Sequence, residues 1–371
     1  MKRAIRLLMM LAVAIAGAFV VTAPAQAADG GGAVFVQTND PTGNTIDAYH
    51  RNGDGALTFL QSYATGGLGG RESGAGSDPL ATQGSLRYIS EDGLLIAVNA
   101  GSSTISVFHV SGDRLELAQV LPSGGLFPTA TGANGDLLYA VNAGGAGSVS
   151  GFRIAGGTLH PIQGSTRTLG LANANPPFFL SSPAQVGFTP DGEHLIVTTK
   201  TNSTVDVFAV GPDGRPSAAP VKNAAAPVPF AWVFDSVGRI VLNFAGTSSL
   251  ETFTVNADNT ITPVGAPVSD TQAALCWITK AQGYDYVSNT ASGSVSQFQV
   301  LGNGTVVLVS GIAASGISGA TDSASAAGFL YVQSGSSGTV HAFAIGAGGA
   351  LTPIQVANVP DGGSQEGIVA I

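Results

Sequence analysis

Leu94-Leu95-Ile96-Ala97-Val98-Asn99, a Gly/Ser/Thr turn, and then Thr104-Ile105-Ser106-Val107-Phe108 carry the reading of this chain. An apolar run, a polar turn and a period-2 alternation closed by an aromatic describe two short antiparallel strands. The same grammar returns elsewhere. Phe329-Leu330-Tyr331-Val332-Gln333 is another apolar run, and Ser294-Val295-Ser296-Gln297-Phe298 is another alternating strand. The closing aromatic occurs seven times, at Tyr49, Phe108, Phe152, Phe208, Phe253, Phe298 and Phe343, and the last four stand 45 residues apart. Only the intervals before Phe108 and Phe208 are long, at 59 and 56 residues.

Each repeat continues past its aromatic into a polar hairpin turn, such as Asn52-Gly53-Asp54-Gly55, Asp213-Gly214 or Gly302-Asn303-Gly304. A further strand follows, as in Ala350-Leu351-Thr352-Pro353-Ile354. Before each apolar run stands one more strand, ending in a turn signal such as Glu91-Asp92-Gly93 or Pro190-Asp191-Gly192. Four short strands per repeat, seven times over, predict an all-β fold: a seven-bladed β-propeller with four-stranded antiparallel blades. The chain ends predict how the ring closes. Ala33-Val34-Phe35-Val36-Gln37 reads as a second strand with no first strand before it, and Gln365 to Ile371 as a first strand with no blade of its own. Paired, the N- and C-terminal segments complete one blade and remove an open sheet edge.

The composition fits that architecture. Of 371 residues 52 are glycine, and only 10% are charged, where an average globular chain has roughly 25%. Hydrophobic residues make up 44%, which excludes a disordered tail, and the glycines do not recur at every third position as collagen requires. Blades that converge on an axis need thin inner strands, which accounts for Ala130-Thr131-Gly132 and Gln185-Val186-Gly187.

Residues 1–27 read as a cleaved signal peptide, with Lys2, Arg3 and Arg6 ahead of an apolar run and Ala25-Gln26-Ala27 at its end. The mature domain is then 28–371, secreted or periplasmic, with 11 Lys+Arg against 23 Asp+Glu and a formal charge of −12. Such a surface repels nucleic acid and anionic membrane, and a monomer is the expectation. Cys276 is alone, so no intramolecular disulfide forms; it is either a reactive thiol or a buried apolar residue.

Val141-Asn142-Ala143-Gly144, Leu330-Tyr331-Val332 and the Pro190-Asp191-Gly192 turn resemble the lactonase-type seven-bladed propellers. That group holds bacterial 6-phosphogluconolactonase-like proteins, fungal carboxymuconate lactonizing enzymes and surface proteins with Tyr-Val-Thr-Asn repeats. The resemblance covers the whole mature chain. It implies hydrolysis or binding of a small lactone or sugar-acid-like molecule at one face. Members often carry His-Pro just before the inner strand. Here those positions read Gln83-Gly84, Phe127-Pro128, Ser182-Pro183 and Val228-Pro229, so no family catalytic residue carries over.

The two long intervals fall between an outer strand and the next inner strand, over Gly66 to Gly84 and about Gln163 to Ser182. Both loops therefore map to one face and suggest a binding rim. The first is no phosphate loop, because it lacks the Lys-Ser/Thr ending. It brings Arg71, Glu72, Asp78 and Gln83 to the rim. Arg71 either clamps a carboxylate or pairs with Glu72 or Asp78. The second loop carries Pro176-Pro177-Phe178-Phe179-Leu180, either an apolar wall for a ligand or a self-packed lid. Strand ends add Asn99, Asn142, Lys200, Asn243 and Asn289; the amides either cap β-turns or form a polar ring. Inner strands add Gln185, Trp232, Trp277, Asp322, Gln365 and Glu366.

Lactone opening needs a base for water and donors for the developing oxyanion. His50, His109, His160, His194 and His341 map away from the loop face, and no pair has zinc-ligand spacing. No metal or cofactor is expected. The candidate catalytic set is Glu366, Arg71 and Glu72, and the candidate ligand-binding set is Asp78, Gln83, Asn99, Asn142, Gln185, Lys200, Asn289 and Gln365. The competing class is a non-catalytic secreted scaffold that presents its long loops to a protein or glycan.

Overall fold

A computed structural model describes residues 31–363 and 365–371. The signal-peptide reading at 1–27 lies outside the described residues. Seven antiparallel sheets are arranged around one axis. Blade 1 runs, from the axis outward, through Ile368–Ala370, Gly32–Gln37, Thr45–Arg51 and Leu57–Ala64. Blades 2 to 7 follow in chain order, with inner strands Leu86–Ile89, Pro128–Asn134, Pro183–Phe188, Pro229–Phe234, Leu275–Ala281 and Ala320–Ala326.

The terminal strands close the ring in the expected register, with Val34 opposite Ala370, Phe35 opposite Val369 and Val36 opposite Ile368. Backbone bonds extend the seam at both ends: Gln37 N–H donates to Gly367 O at 2.9 Å, and Ile371 N–H to Ala33 O at 2.8 Å.

The alternation seen in the sequence becomes inter-blade packing, because each sheet buries both faces against neighbours. Ile96, Ile105 and Val107 of blade 2 meet Leu138, Ala140 and Phe152 of blade 3 in one apolar layer. Second-strand tyrosines add a repeated latch. Tyr139 Oη donates to Gly214 O at 2.7 Å, Tyr286 Oη to Gly349 O at 2.7 Å and Tyr331 Oη to Gly55 O at 3.0 Å, each reaching the outer hairpin of the next blade. Near the axis bulk is excluded. A Cβ on Gly132 would stand 2.6 Å from the Gly187 Cα of the next blade.

The seven blades are four-stranded as expected, with one local variation. Blade 3 has a fifth strand segment, because its outer strand is split into Thr158–Pro161 and Arg167–Thr168, both paired with Ser148–Ala155. The break is stabilised by the Ser165 hydroxyl, which accepts the Gly151 N–H at 3.0 Å. The interval from Gln163 is therefore partly strand, and the added loop proper is 169–182.

Candidate functional site

The loop between blades 1 and 2 does not merely rim the channel; it enters it. Thr82 Oγ1 and Gln83 N–H both donate to Ala184 O of blade 4, at 2.6 and 2.8 Å. Trp277 Nε1 of blade 6 donates to Thr82 O at 2.7 Å, and the Ile278 N–H to Gln83 Oε1 at 3.0 Å. Leu80-Ala81-Thr82-Gln83 thus plugs the axis, bonded to the inner strands of blades 4 and 6.

Glu366 latches this plug. Its Oε2 accepts the Leu80 N–H at 2.7 Å and its Oε1 accepts the Thr82 N–H at 2.8 Å. The residue just ahead of the closing strand therefore fixes the plug as well as the ring.

The preceding stretch, residues 71–78, crosses the mouth. Arg71 donates to the carbonyls of Ala75, Gly76 and Gly363 at 3.1, 2.8 and 3.3 Å, so its guanidinium ties down its own loop. Ser77 Oγ meets Ser336 Oγ of blade 7 at 2.6 Å. At Gly335 a Cβ would lie 1.9 Å from Ser77 O, so glycine is what allows this approach. The two long loops also touch each other: Ser73 N–H donates to Pro177 O at 2.8 Å, and the Phe179 N–H to Ser73 O at 3.1 Å. Phe178 and Phe179 pack edge to face at 4.9 Å.

Between the plug, the second loop and blades 4, 5 and 6 lies a cavity of ≈ 420 Å³. Asp78 and Ala81 line it from the plug loop, Phe179 and Leu180 from the second loop, and Lys200, Phe230 and Cys276 from the blades. Lys200 is 1% exposed; its Nζ donates to Ala81 O at 2.7 Å and lies 5.5 Å from the Phe230 ring centroid. Burial pushes the ammonium's pKa down, and the nearby Glu72, Asp78 and Glu366 carboxylates oppose that.

One buried cation thus faces three carboxyl groups, which cannot all ionise cheaply. Glu72 is 1% exposed, and neither of its oxygens has a hydrogen-bond partner in range. Ser182 is close enough to act on it, but that hydroxyl donates to Phe179 O at 3.1 Å. Desolvation pushes Glu72 well above the ordinary glutamate range, with Lys200 pulling the other way. Glu366 is raised for the same first reason, against its two amide donors, and half-buried Asp78 is raised with Lys200 opposing. Burial thus disfavours the charged form of each of these groups, the Lys200 ammonium included. Cys276 is the buried alternative of the two expected: it is 7% exposed, and burial pushes its thiol up to about 12.

The remaining predicted residues are placed elsewhere. Gln83 lines a second cavity of ≈ 320 Å³ further along the channel, with Arg87 and Asp322. Asn99 is fully buried, accepting from Asn44 and Thr65 at 2.9 and 2.7 Å and donating to Thr104 and Ser106 at 3.1 and 2.8 Å. Asn142 and Asn289 donate to serines of their own turns, Ser148 and Ser150, Ser294 and Ser296. Gln185 exchanges two bonds with the Trp232 backbone at 3.0 and 2.8 Å, and Gln365 donates to Ser334 O and Thr339 O at 3.1 and 2.7 Å. None of these five amides lines the cavity. Asn99, Asn142 and Asn289 bond within and beside their turns, and Gln185 and Gln365 bond to backbone of neighbouring strands.

None of the five histidines lines it either. His50 Nδ1 pairs with Asp113 at 3.1 Å and His194 Nδ1 with Asn259 at 2.9 Å. Val228, Phe230, Ala274 and Thr290 were not picked out from the sequence. Val228 and Ala274 hold positive φ, +57° and +57°, but Phe127 holds +55° at the matching place in blade 3, so this marks the repeat and not the site. Among the described residues no group of three or more His, Cys, Asp or Glu side chains could hold a metal ion, and no helix is long and apolar enough to cross a membrane.

No protein-family model matches the sequence, and no curated protein matches it. Solved structures do match. The periplasmic gluconolactonase of Pseudomonas aeruginosa superposes with a TM-score of 0.72 at 17% identity, covering 92% of this chain and 99% of that one. A Bacteroides uniformis protein provisionally described as a 6-phosphogluconolactonase gives 0.72 at 17% identity, over 92% and 99%. A Bacteroides fragilis protein with the same provisional description gives 0.68 at 19% identity, over 91% and 98%. What these identities establish is architecture: the chain has the seven-bladed fold of the 6-phosphogluconolactonase-like propellers.

Proposed function

We propose that this chain is an exported, lactonase-like propeller that binds and hydrolyses a small lactone in the cavity between the plug and blades 4 to 6. One observation carries the reading. Both long loops close over a single cavity in which a buried ammonium, Lys200, faces the half-buried carboxyl of Asp78. Concave sites with a few converging polar groups are where small molecules bind. Loops that pack on the propeller and on each other, instead of projecting, favour this over a scaffold for proteins or glycans.

The chemistry follows from the groups present. Asp78 takes a proton from water as the water oxygen adds to the lactone carbonyl carbon. The Lys200 ammonium stabilises the oxyanion that forms. The ring C–O bond then breaks, and the departing alkoxide takes the proton from Asp78, giving the hydroxy acid. Whatever negative charge the Glu72, Asp78 and Glu366 carboxyls carry opposes the loss of charge that burial imposes on Lys200. In this reading Arg71 and Glu366, named from sequence as catalytic, are positioning residues, and Glu72, the third, acts only through its charge on Lys200.

The test is hydrolysis of a lactone panel followed by pH-stat, with Lys200→Met and Asp78→Asn as variants. Each should lose about 10²–10⁴-fold in kcat/KM while keeping the wild-type melting temperature within a few degrees. Full activity in both variants would place the chemistry elsewhere. Absence of turnover and of binding across the panel would favour the scaffold reading.

A further inference from the structure

We infer that the lactone taken by this cavity carries an aliphatic or aromatic substituent and is not a polyhydroxylated sugar lactone. The inference rests on the proposed function and narrows its substrate class. The lining is divided by origin. Polar side chains come from the plug loop, from the Lys200 turn and from blade 6, where Ser77, Asp78, Lys200 and Thr290 stand. Blade 5 contributes Val228, Phe230, Ala245 and Gly246, and the second loop contributes Phe179 and Leu180. No side chain in either of those two groups can donate or accept a hydrogen bond.

A ligand that fills ≈ 420 Å³ must therefore lay part of its surface on an apolar wall while its carbonyl meets Lys200. A sugar lactone bears hydroxyls around its ring. Those turned to Phe179, Leu180 and Val228 would exchange water for no partner, and each such hydroxyl weakens binding by roughly tenfold or more. An alkyl or aryl group gains there instead, by about fourfold for each methylene removed from water. Phe230 contributes twice, since the Lys200 ammonium lies over its ring and it pairs edge to face with Trp277, the ring centroids 4.9 Å apart. It holds the polar end and the apolar wall next to each other.

The experiment uses the intact mature protein and a graded series: γ-butyrolactone, then γ-lactones with side chains of two, four and six carbons, and glucono-δ-lactone as the hydroxylated comparison. Binding is measured by calorimetry and turnover by pH-stat. Affinity and kcat/KM should climb along the series by about fourfold per methylene until the cavity is full. Leu180→Asn should flatten that climb, raising KM for the six-carbon side chain by more than for the unsubstituted ring, while its effect on kcat is the same along the series. Preference for glucono-δ-lactone over every alkyl lactone would overturn the inference and leave the hydrolase reading standing. Alkyl lactones that bind in the graded way without being hydrolysed would uphold the ligand class and remove the hydrolase reading. Binding of neither kind would overturn both.

Discussion

Replacing Glu366 tests whether the plug is held as described. In the native protein its two oxygens accept the Leu80 and Thr82 amides at 2.7 and 2.8 Å, and all three residues are buried. Glu366→Ala leaves two buried N–H groups without acceptors, at about 1–3 kcal/mol each, together with a small cavity. Release from burying a carboxyl offsets part of that, so the net loss should be about 2–5 kcal/mol. Glu366→Gln is the sharper probe because it keeps the volume. Its amide supplies one acceptor, and its NH₂ must face a second N–H donor, so about 1–3 kcal/mol should still be lost. The assay is thermal and urea unfolding, joined to hydrogen exchange at the Leu80 and Thr82 amides. Both variants should exchange faster than the native protein at these two amides, while the amides of Leu137–Asn142 in blade 3 keep their native protection. An unchanged melting temperature with unchanged protection at Leu80 and Thr82 in Glu366→Gln would refute the latch.

The other expected outcomes concern pH, closure and export. Burial pushes Asp322 from 3.8 up to about 7, against the nearby Arg87, so the folded protein keeps a proton there that the unfolded chain releases. Its contribution to stability is therefore full below about pH 4 and falls as pH rises to about 7, by about 4 kcal/mol in all. Asp322→Asn should flatten the melting-temperature profile across that window, and a profile that keeps its wild-type slope would contradict this. In turnover, the upward shift of Asp78 and the downward shift of Lys200 should draw both limbs of the kcat/KM profile toward neutrality; limbs at ordinary aspartate and lysine values would exclude the pair. Deleting 365–371 removes the partner of Gly32–Gln37 and the Glu366 latch together, so a truncated chain that stays monomeric with a native melting temperature would disprove closure by the termini. Intact-mass measurement of exported protein should give a chain beginning near Ala28, and retention of Met1 to Ala27 would reject the signal-peptide reading.

The blades were legible in the sequence because their causes are local. Period-2 alternation, Gly/Asp/Asn turns and a 45-residue repeat each act over one hairpin, and repetition of a hairpin grammar leaves few folds that bury both faces of every sheet. Closure was legible too, since an unpaired strand at each end leaves an edge that only the other end can fill. The loop face and its charged residues were found by position alone. What those residues do was decided in three dimensions. Glu366 and Leu80 are 286 residues apart in the chain, and Lys200 and Ala81 are 119 apart. The same amide at a strand end serves equally as a turn cap or as a ligand contact until its neighbours are known, and Asn99 became a cap because Asn44, Thr65 and Ser106 surround it. By position alone Arg71 either clamps a carboxylate or pairs with Glu72 or Asp78, whereas in the fold its guanidinium donates to carbonyls of its own loop. Local patterning fixes which strands form. Only the folded ring sets which carboxyls share a dry space with Lys200, because burial and distance, not residue type, determine their charge.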